Sequence, residues 1–353
     1  MAPTLSTLRS KLGFAGKAGV WKFLALIFAL LNLKSLPFVW HIRLLKGLFA
    51  QRRTSRLRLT TTPGPSTLFQ PLITSSRSGF LECDYNLHKS NSTYFSDFDV
   101  GRLELLVSLC SHGLDKTRKE LALEEKEGRG DGAMGKGRFD IRLGGVSCQF
   151  RKEIKPYEKF EVWTRVLCWD RKWFYVISHF VKPGVFRPKS YMLQPWRDGR
   201  RQKDHDAESD GVVANGNTTP SPHPAIFATG IAKYVLKKGR LTIPPERVFR
   251  ASELLPPKPA DYEILPATST PTPESTSNTA AAVSIVDHIT PGNAEDVVVA
   301  SLKAGVGNED GEWTWEKVEE ERKRGMKIAE MWGALDGLNE EFAGDGGVVL
   351  GRY

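Results

Sequence analysis

The first 81 residues contain no aspartate and no glutamate. Twelve lysines and arginines lie in the same stretch, so the overall charge of +9 belongs entirely to the N-terminal end. Residues 82–353 are slightly acidic by the same count. This distribution argues against a basic stripe on the rest of the chain, and with it against nucleic-acid binding. An acid-free cationic segment suits an anionic lipid surface better.

Cysteine is also scarce. Cys83, Cys110, Cys148 and Cys168 form no C-x-x-C pair, which speaks against a zinc site. They read as buried, reduced thiols of a reducing compartment. A Cys–His catalytic pair has no local support.

An uninterrupted apolar run of spanning length is missing as well. Residues 23–31 are wholly apolar, but extension to 20–39 admits Lys22, Asn32, Lys34 and Pro37. A transmembrane helix needs about 20 mostly apolar residues. Lys22 and Lys34 would have to snorkel toward the interfaces, with Trp21 and Trp40 as interfacial anchors. Three readings stay open: a membrane anchor or in-plane helix, a mitochondrial transit peptide, and a buried helix of the soluble fold. If the segment spans, the cations from Arg43 to Arg58 would hold the following domain in the cytosol. The sequons at Asn91 and Asn217 would then go unused.

Beyond a turn-rich boundary at 60–65, a packed region begins near Leu68. Residues 79–86 read as a short strand leading into a loop. A helix is expected over about 93–112, capped by Asn91 or Ser92. Its apolar residues, among them Phe95, Phe98, Leu105 and Leu109, cover most of its circumference, so it should be buried. Residues 124–136 are charged and Gly-rich, hence loop. Then period-two alternation marks strands: Val146, Cys148 and Phe150 on one face, and Phe160, Val162, Thr164, Val166 and Cys168 on another. Asp170-Arg171 turns the chain into the β-rich 173–181, and 225–236 supplies a further strand. One buried helix with at least four antiparallel strands is an α+β layer solution.

Residues 315–338 read as a final helix, with Trp315, Val318, Gly325, Ala329 and Trp332 at three-four spacing. Glu319–Lys323 and Glu320–Arg324 are its expected i,i+4 pairs. It either docks on its own domain or binds a partner.

The stretch that carries chemistry is Asp84-Tyr-Asn-Leu-His88-Lys-Ser-Asn91-Ser-Thr-Tyr94. It resembles the active-site signature of the 4-hydroxybenzoyl-CoA-thioesterase-like hotdog superfamily. Asp84, His88, Asn91 and Tyr94 match, while Ser90 replaces the first of two asparagines. Residues 160–175 also look like this family, in particular its branch with an N-terminal membrane segment. Fungal relatives associated with lipopeptide or polyketide biosynthesis have a similar layout.

The resemblance implies a hotdog fold, an antiparallel sheet wrapped around one long buried helix, over residues 66–255. The N-terminal helix and the C-terminal helix are appended to it. A basic segment over 1–60, a polar insertion over 183–224, a linker over 256–311 and the helix at 312–338 complete the expected organisation. The implied activity is hydrolysis of acyl-CoA or carrier-bound thioesters in lipid or secondary metabolism, with no metal and no cofactor. Asp84 would be general base or nucleophile. His88, Asn91, Ser92, Thr93 and Tyr94 would bind substrate. Backbone N–H groups near 92–94 would meet the developing oxyanion. An acyl tunnel would run past Phe95 and Phe98. A homodimer is implied, and basic residues among Arg138, Arg142, Arg151 and Lys152 would take the phosphates of coenzyme A.

Each assignment has a structural alternative. Asp84 could cap a turn, His88 shape the loop, Asn91 cap the helix and Tyr94 pack. No G-x-S-x-G elbow surrounds Ser92, so a Ser–His nucleophile is disfavoured. A non-catalytic, membrane-associated acyl-binding or scaffold protein stays open because of Ser90, and a dehydratase of the same fold is a further alternative.

Overall fold

The computed structural model describes residues 17–57, 64–127, 137–186, 188, 191–193, 224–259 and 313–339. Of the polar insertion over 183–224 only 183–186, 188, 191–193 and 224 are among them, and of the linker over 256–311 only 256–259; Asn217 lies outside the described residues.

Two helices come first, α1 (Lys17–Leu31) and α2 (Val39–Leu57), followed by strand β1 (Leu72–Arg77). Helix α3 (Asn91–Lys126) precedes β2 (Phe139–Phe150), β3 (Lys159–Trp169), β4 (Trp173–Val181), β5 (Ile226–Lys238) and β6 (Leu241–Ile243). Short α4 (Pro245–Ala251) and α5 (Trp315–Gly333) close the order. The strands form one antiparallel sheet in the order β1-β3-β4-β5-β2, with β6 against β5. The sheet curls around α3 as a hotdog domain, and α2 lies along the other side of α3.

The helix and the sheet meet through two apolar groups. Near the start of α3, Tyr94 and Phe98 pack with Phe160, Phe180 and Phe227. Further along, Leu105, Leu106 and Leu109 pack with Val166, Phe174, Tyr234 and Phe249. Between them Thr164 and Ser178 share a buried hydroxyl–hydroxyl hydrogen bond of 3.0 Å across β3 and β4. Gly101 faces Thr164 there, and a Cβ at that position would lie 2.9 Å from the Thr164 hydroxyl.

Several elements differ from the sequence reading. The strand expected at 79–86 lies earlier, at Leu72–Arg77; residues Phe80–Glu82 form a 3-10 turn instead. The Glu82 carboxylate accepts from the Gly79 N–H at 3.2 Å, which closes that turn. Helix α3 starts at Asn91 and runs 36 residues, well beyond His112. Gly113, just past the expected end, is a contact point: a Cβ there would lie 2.5 Å from the Val248 carbonyl of α4. The cap residue is Ser90, not Asn91 or Ser92. Only Cys110 and Cys168 are buried; Cys83 and Cys148 are partly exposed, and all four are free thiols.

The apolar run at 20–39 is not one helix. It breaks after Leu31, where the Asn32 amide donates to the Phe28 carbonyl and Phe38 takes φ 64 ahead of α2. No helix among the described residues is long and apolar enough to cross a membrane.

Trp315, Val318, Gly325 and Ala329 are all buried, and α5 lies against β3 on the face of the sheet away from α3. Both faces of β3 are therefore covered, which explains why Arg165 is only 4% exposed. Glu319 pairs with Lys323 as expected, but Arg324 bonds Glu321 rather than Glu320, and Arg322 bonds Glu319 and the Trp169 carbonyl.

Gly325 is where α5 comes closest to the sheet, since a Cβ there would stand 2.4 Å from the Leu167 carbonyl oxygen. Alanine favours a helix over glycine by about 1 kcal/mol, yet here it must push α5 off a backbone atom. Gly325→Ala is expected to lower unfolding free energy by about 1–3 kcal/mol in urea titrations; a stabilised variant would mean that α5 does not dock this way.

Candidate active site

Asp84 opens a tight loop. Its N–H donates to the His88 carbonyl and its carbonyl accepts from Leu87 N–H, both at 3.0 Å. Its carboxylate accepts from the Asn86 N–H at 2.9 Å, an Asx turn. Leu87 sits in the left-handed region at φ 60. His88 Nδ1 lies 3.6 Å from Asp84 Oδ1, and its Nε2 lies 3.9 Å from Glu153 Oε1. The Asp84 side chain is 27% exposed, neither buried nor free. Glu153, just past β2, was not singled out from sequence, and no local pattern marks it.

The neck of this loop is tied. Cys83 and Lys89 form an antiparallel bridge. Ser90 N–H donates to the Glu82 carbonyl at 2.8 Å, and Lys89 N–H to the Ile154 carbonyl at 2.8 Å. Lys89 Nζ reaches Glu82 Oε2 at 3.2 Å. The loop is thereby folded back on the first turn of α3.

In that first turn Asn91 and Ser92 are exposed. Their backbone N–H groups precede any carbonyl that the helix could offer them. The Thr93 N–H turns back to Ser90 carbonyl at 2.9 Å, and its hydroxyl donates there at 2.7 Å. The open donors are thus at 91–92, one residue earlier than the expected 92–94. Tyr94 points inward, ringed by Phe150 and Phe180, and burial raises its hydroxyl well above the ordinary tyrosine range. Phe98 is 1% exposed, and its ring takes the space over Gly230, where a Cβ would meet it at 2.4 Å. It fills the core instead of lining a tunnel; Phe95 is only partly buried. Arg138, Arg142, Arg151 and Lys152 are all exposed, and Arg142 is bonded to Asp140.

Beneath the loop lies a buried ionic cluster. Asp97, 1% exposed on α3, takes Lys34 Nζ at 2.8 Å, Arg43 at 2.8 Å and Lys89 Nζ at 3.0 Å. Glu82 takes the same two lysines, Lys34 at 2.9 Å. Burial alone would raise the Asp97 carboxyl, but Lys34, Lys89 and Arg43 outweigh it and hold it down at about 2. Burial also holds Lys34 below the ordinary lysine range, against the pull of Asp97. Lys34 therefore does not snorkel to a lipid interface; it is turned into the protein because two acids await it there.

His179 and Cys148 are held in unreactive states. Burial, then Arg165, lowers His179 to about 3, and its Nδ1 pairs with the Thr229 hydroxyl at 3.0 Å. Burial pushes the Cys148 thiol up to about 12, which leaves it a poor nucleophile. Among the described residues no group of His, Cys, Asp and Glu could hold a metal ion.

A closed loop bearing an acid and a histidine, laid on the start of a helix that a curled sheet encloses, defines a hotdog domain with a candidate hydrolytic site. Residues 78–219 match the family described as the thioesterase-like superfamily. The probable thioesterase atnL of Emericella nidulans is 39% identical over 250 residues, covering 67% of this chain and 76% of that protein. Thioesterase poxG of Penicillium oxalicum is 32% identical, over 91% of this chain and 86% of the relative. Thioesterase lcsJ of Purpureocillium lilacinum is 29% identical, over 90% and 91%. The chain belongs to the thioesterase-like superfamily.

Breaking a buried ion pair costs about 3–5 kcal/mol, and Asp97→Asn leaves three cations facing one carboxylate; a loss of that order is expected in urea unfolding at neutral pH. The Asp97 carboxyl is depressed in the folded state, so its contribution is complete above the unfolded aspartate value of about 4. It is lost as pH falls through about 2. Urea midpoints measured across this window should fall steeply for the parent chain and less so for Asp97→Asn.

Proposed function

We propose that the chain is an acyl-thioester hydrolase acting on acyl-CoA or carrier-bound acyl groups, in lipid or secondary metabolism, with Asp84 as its catalytic carboxylate. The loop over 83–89, tied against the first turn of α3 with Asp84 and His88 on it, is the observation that carries this reading. As base, Asp84 takes a proton from water while the water oxygen bonds to the thioester carbon. The tetrahedral oxyanion is met by the N–H groups of Asn91 and Ser92 at the positive end of α3. The C–S bond then breaks, and the sulfur leaves with the proton that Asp84 held. His88 keeps the loop in shape and faces Asp84; Thr93 fixes the turn; Tyr94 supports it from below.

A homodimer fits the open sheet edge. Strand β2 is terminal in the sheet, and alternate residues along its twelve-residue length offer backbone groups on the outer side. A second copy would pair there and wall the site.

The N-terminal pair of helices suits a membrane surface. Helix α1 is exposed at almost every described side chain, from Trp21 to Leu31. Phe38, just ahead of α2, and Ile42, Leu45 and Phe49 on it form one stripe and are 75%, 59%, 50% and 66% exposed. Lys46 and Arg52 flank that stripe on the helical wheel. An apolar face edged by cations is the pattern of a helix lying in an anionic interface. On this reading the domain sits at an anionic membrane surface and faces the cytosol.

Two measurements test these points. Asp84→Asn should reduce kcat by about 10²–10⁴-fold on an acyl-CoA panel while circular dichroism stays unchanged; equal turnover would reject the site and favour a turn-capping Asp84 in a binding protein. The full chain should float with phosphatidylserine-containing vesicles, and the double variant Ile42→Glu, Phe49→Glu should stay in the bottom fraction. Equal flotation would remove the α2 stripe from the lipid contact.

A further inference from the structure

We infer that Lys34, on the N-terminal segment, is a positioning residue for the candidate catalytic loop. This rests on the hydrolase reading above and adds to it that the N-terminal segment is a working part of the site.

The loop carrying Asp84 and His88 begins after Glu82 and ends before Lys89. Those two residues are its gateposts, and their side chains touch at 3.2 Å. Lys34 Nζ sits against both acids that hold Lys89: Glu82 Oε2 at 2.9 Å and Asp97 Oδ2 at 2.8 Å. It also donates to the Arg77 carbonyl at 3.2 Å, at the end of β1. Two residues earlier, the Asn32 carboxamide oxygen accepts from Leu81 N–H at 2.9 Å, inside the 3-10 turn that leads into the loop. Residues 32–34 thus bond the strand end, the turn and the helix that surround the loop neck.

Charge explains why the lysine is needed. Without it, the fully buried Lys89 would be the one described cation in contact with Glu82, while Asp97 competes for the same ammonium. Arg43 touches Asp97 on its other oxygen and does not reach Glu82. A Lys89 drawn toward Asp97 would loosen the neck, and His88 is the adjacent residue. Asp84 lies two residues from Glu82. Displacement at the neck therefore passes to both groups without any intermediate element.

The test uses the full chain. Lys34→Met keeps the length of the side chain and removes its charge. It is expected to lower kcat by about tenfold or more, since small misplacements of reacting groups have effects of that size, with KM changed by less than about threefold. Amide hydrogen exchange over 83–90 should accelerate in the same protein. Val318→Ala, buried on α5 away from the loop, lowers stability but should leave both readouts unchanged. Lys34→Gln, which keeps hydrogen bonding, is the milder variant if Lys34→Met does not fold, and is read in the same way. A folded variant with parental kcat and parental exchange over 83–90 overturns the inference. Failure of the hydrolase reading shows separately, as an Asp84→Asn protein that turns over normally.

Discussion

The burial of Asp97 is the constraint on which the rest of the structure turns. A carboxylate at 1% exposure on a central helix is tolerable only with cations beside it. Three arrive from three places: Lys89 from the loop before the helix, Lys34 from the break between α1 and α2, and Arg43 from α2. Satisfying one acid therefore holds points on the chain as far as 63 residues before it. The cluster ties the N-terminal segment, the candidate loop and the core helix into one body.

This arrangement changes how the acid-free N-terminal segment is to be understood. Its cations do two jobs. Lys34 and Arg43 face inward and neutralise the acids of the domain, whereas Lys46 stays exposed at the edge of an apolar stripe. A similar division appears on the opposite side of the sheet, where α5 covers β3. There Arg322 bonds the Trp169 carbonyl and Glu319 as the apolar positions of α5 meet Leu167 and Tyr175. In both places a charged side chain orients a helix that lies outside the hotdog domain.

Much of this was legible from the residues because it is local. The spacing of Asp84, His88, Asn91 and Tyr94 lies within one loop and one helical turn. The strands announced themselves by period-two alternation, and α5 by the three-four spacing of Trp315, Val318, Gly325 and Ala329. What stayed hidden depends on distant partners. Lys34 meets Glu82 and Asp97 across 48 and 63 residues, and in sequence it looks like a lysine at a membrane boundary. Gly113 lies just past the expected helix end, yet it is the point at which α4 approaches α3. Phe98 belongs to the apolar face of the helix, as expected, but only the glycine opposite it on β5 shows that its ring fills the core.

The long reach of Lys34 also sets an order of events during synthesis. The ribosome releases the chain from its amino end, so α1 and α2 emerge well before the acids that will hold them. For that interval the apolar run of α1 and an unpaired lysine are available to whatever lies near the tunnel exit. The domain captures the lysine only once residue 97 has emerged. A lipid surface met in the interval would engage α1 first, and the enzyme would then complete itself around an end that is already attached.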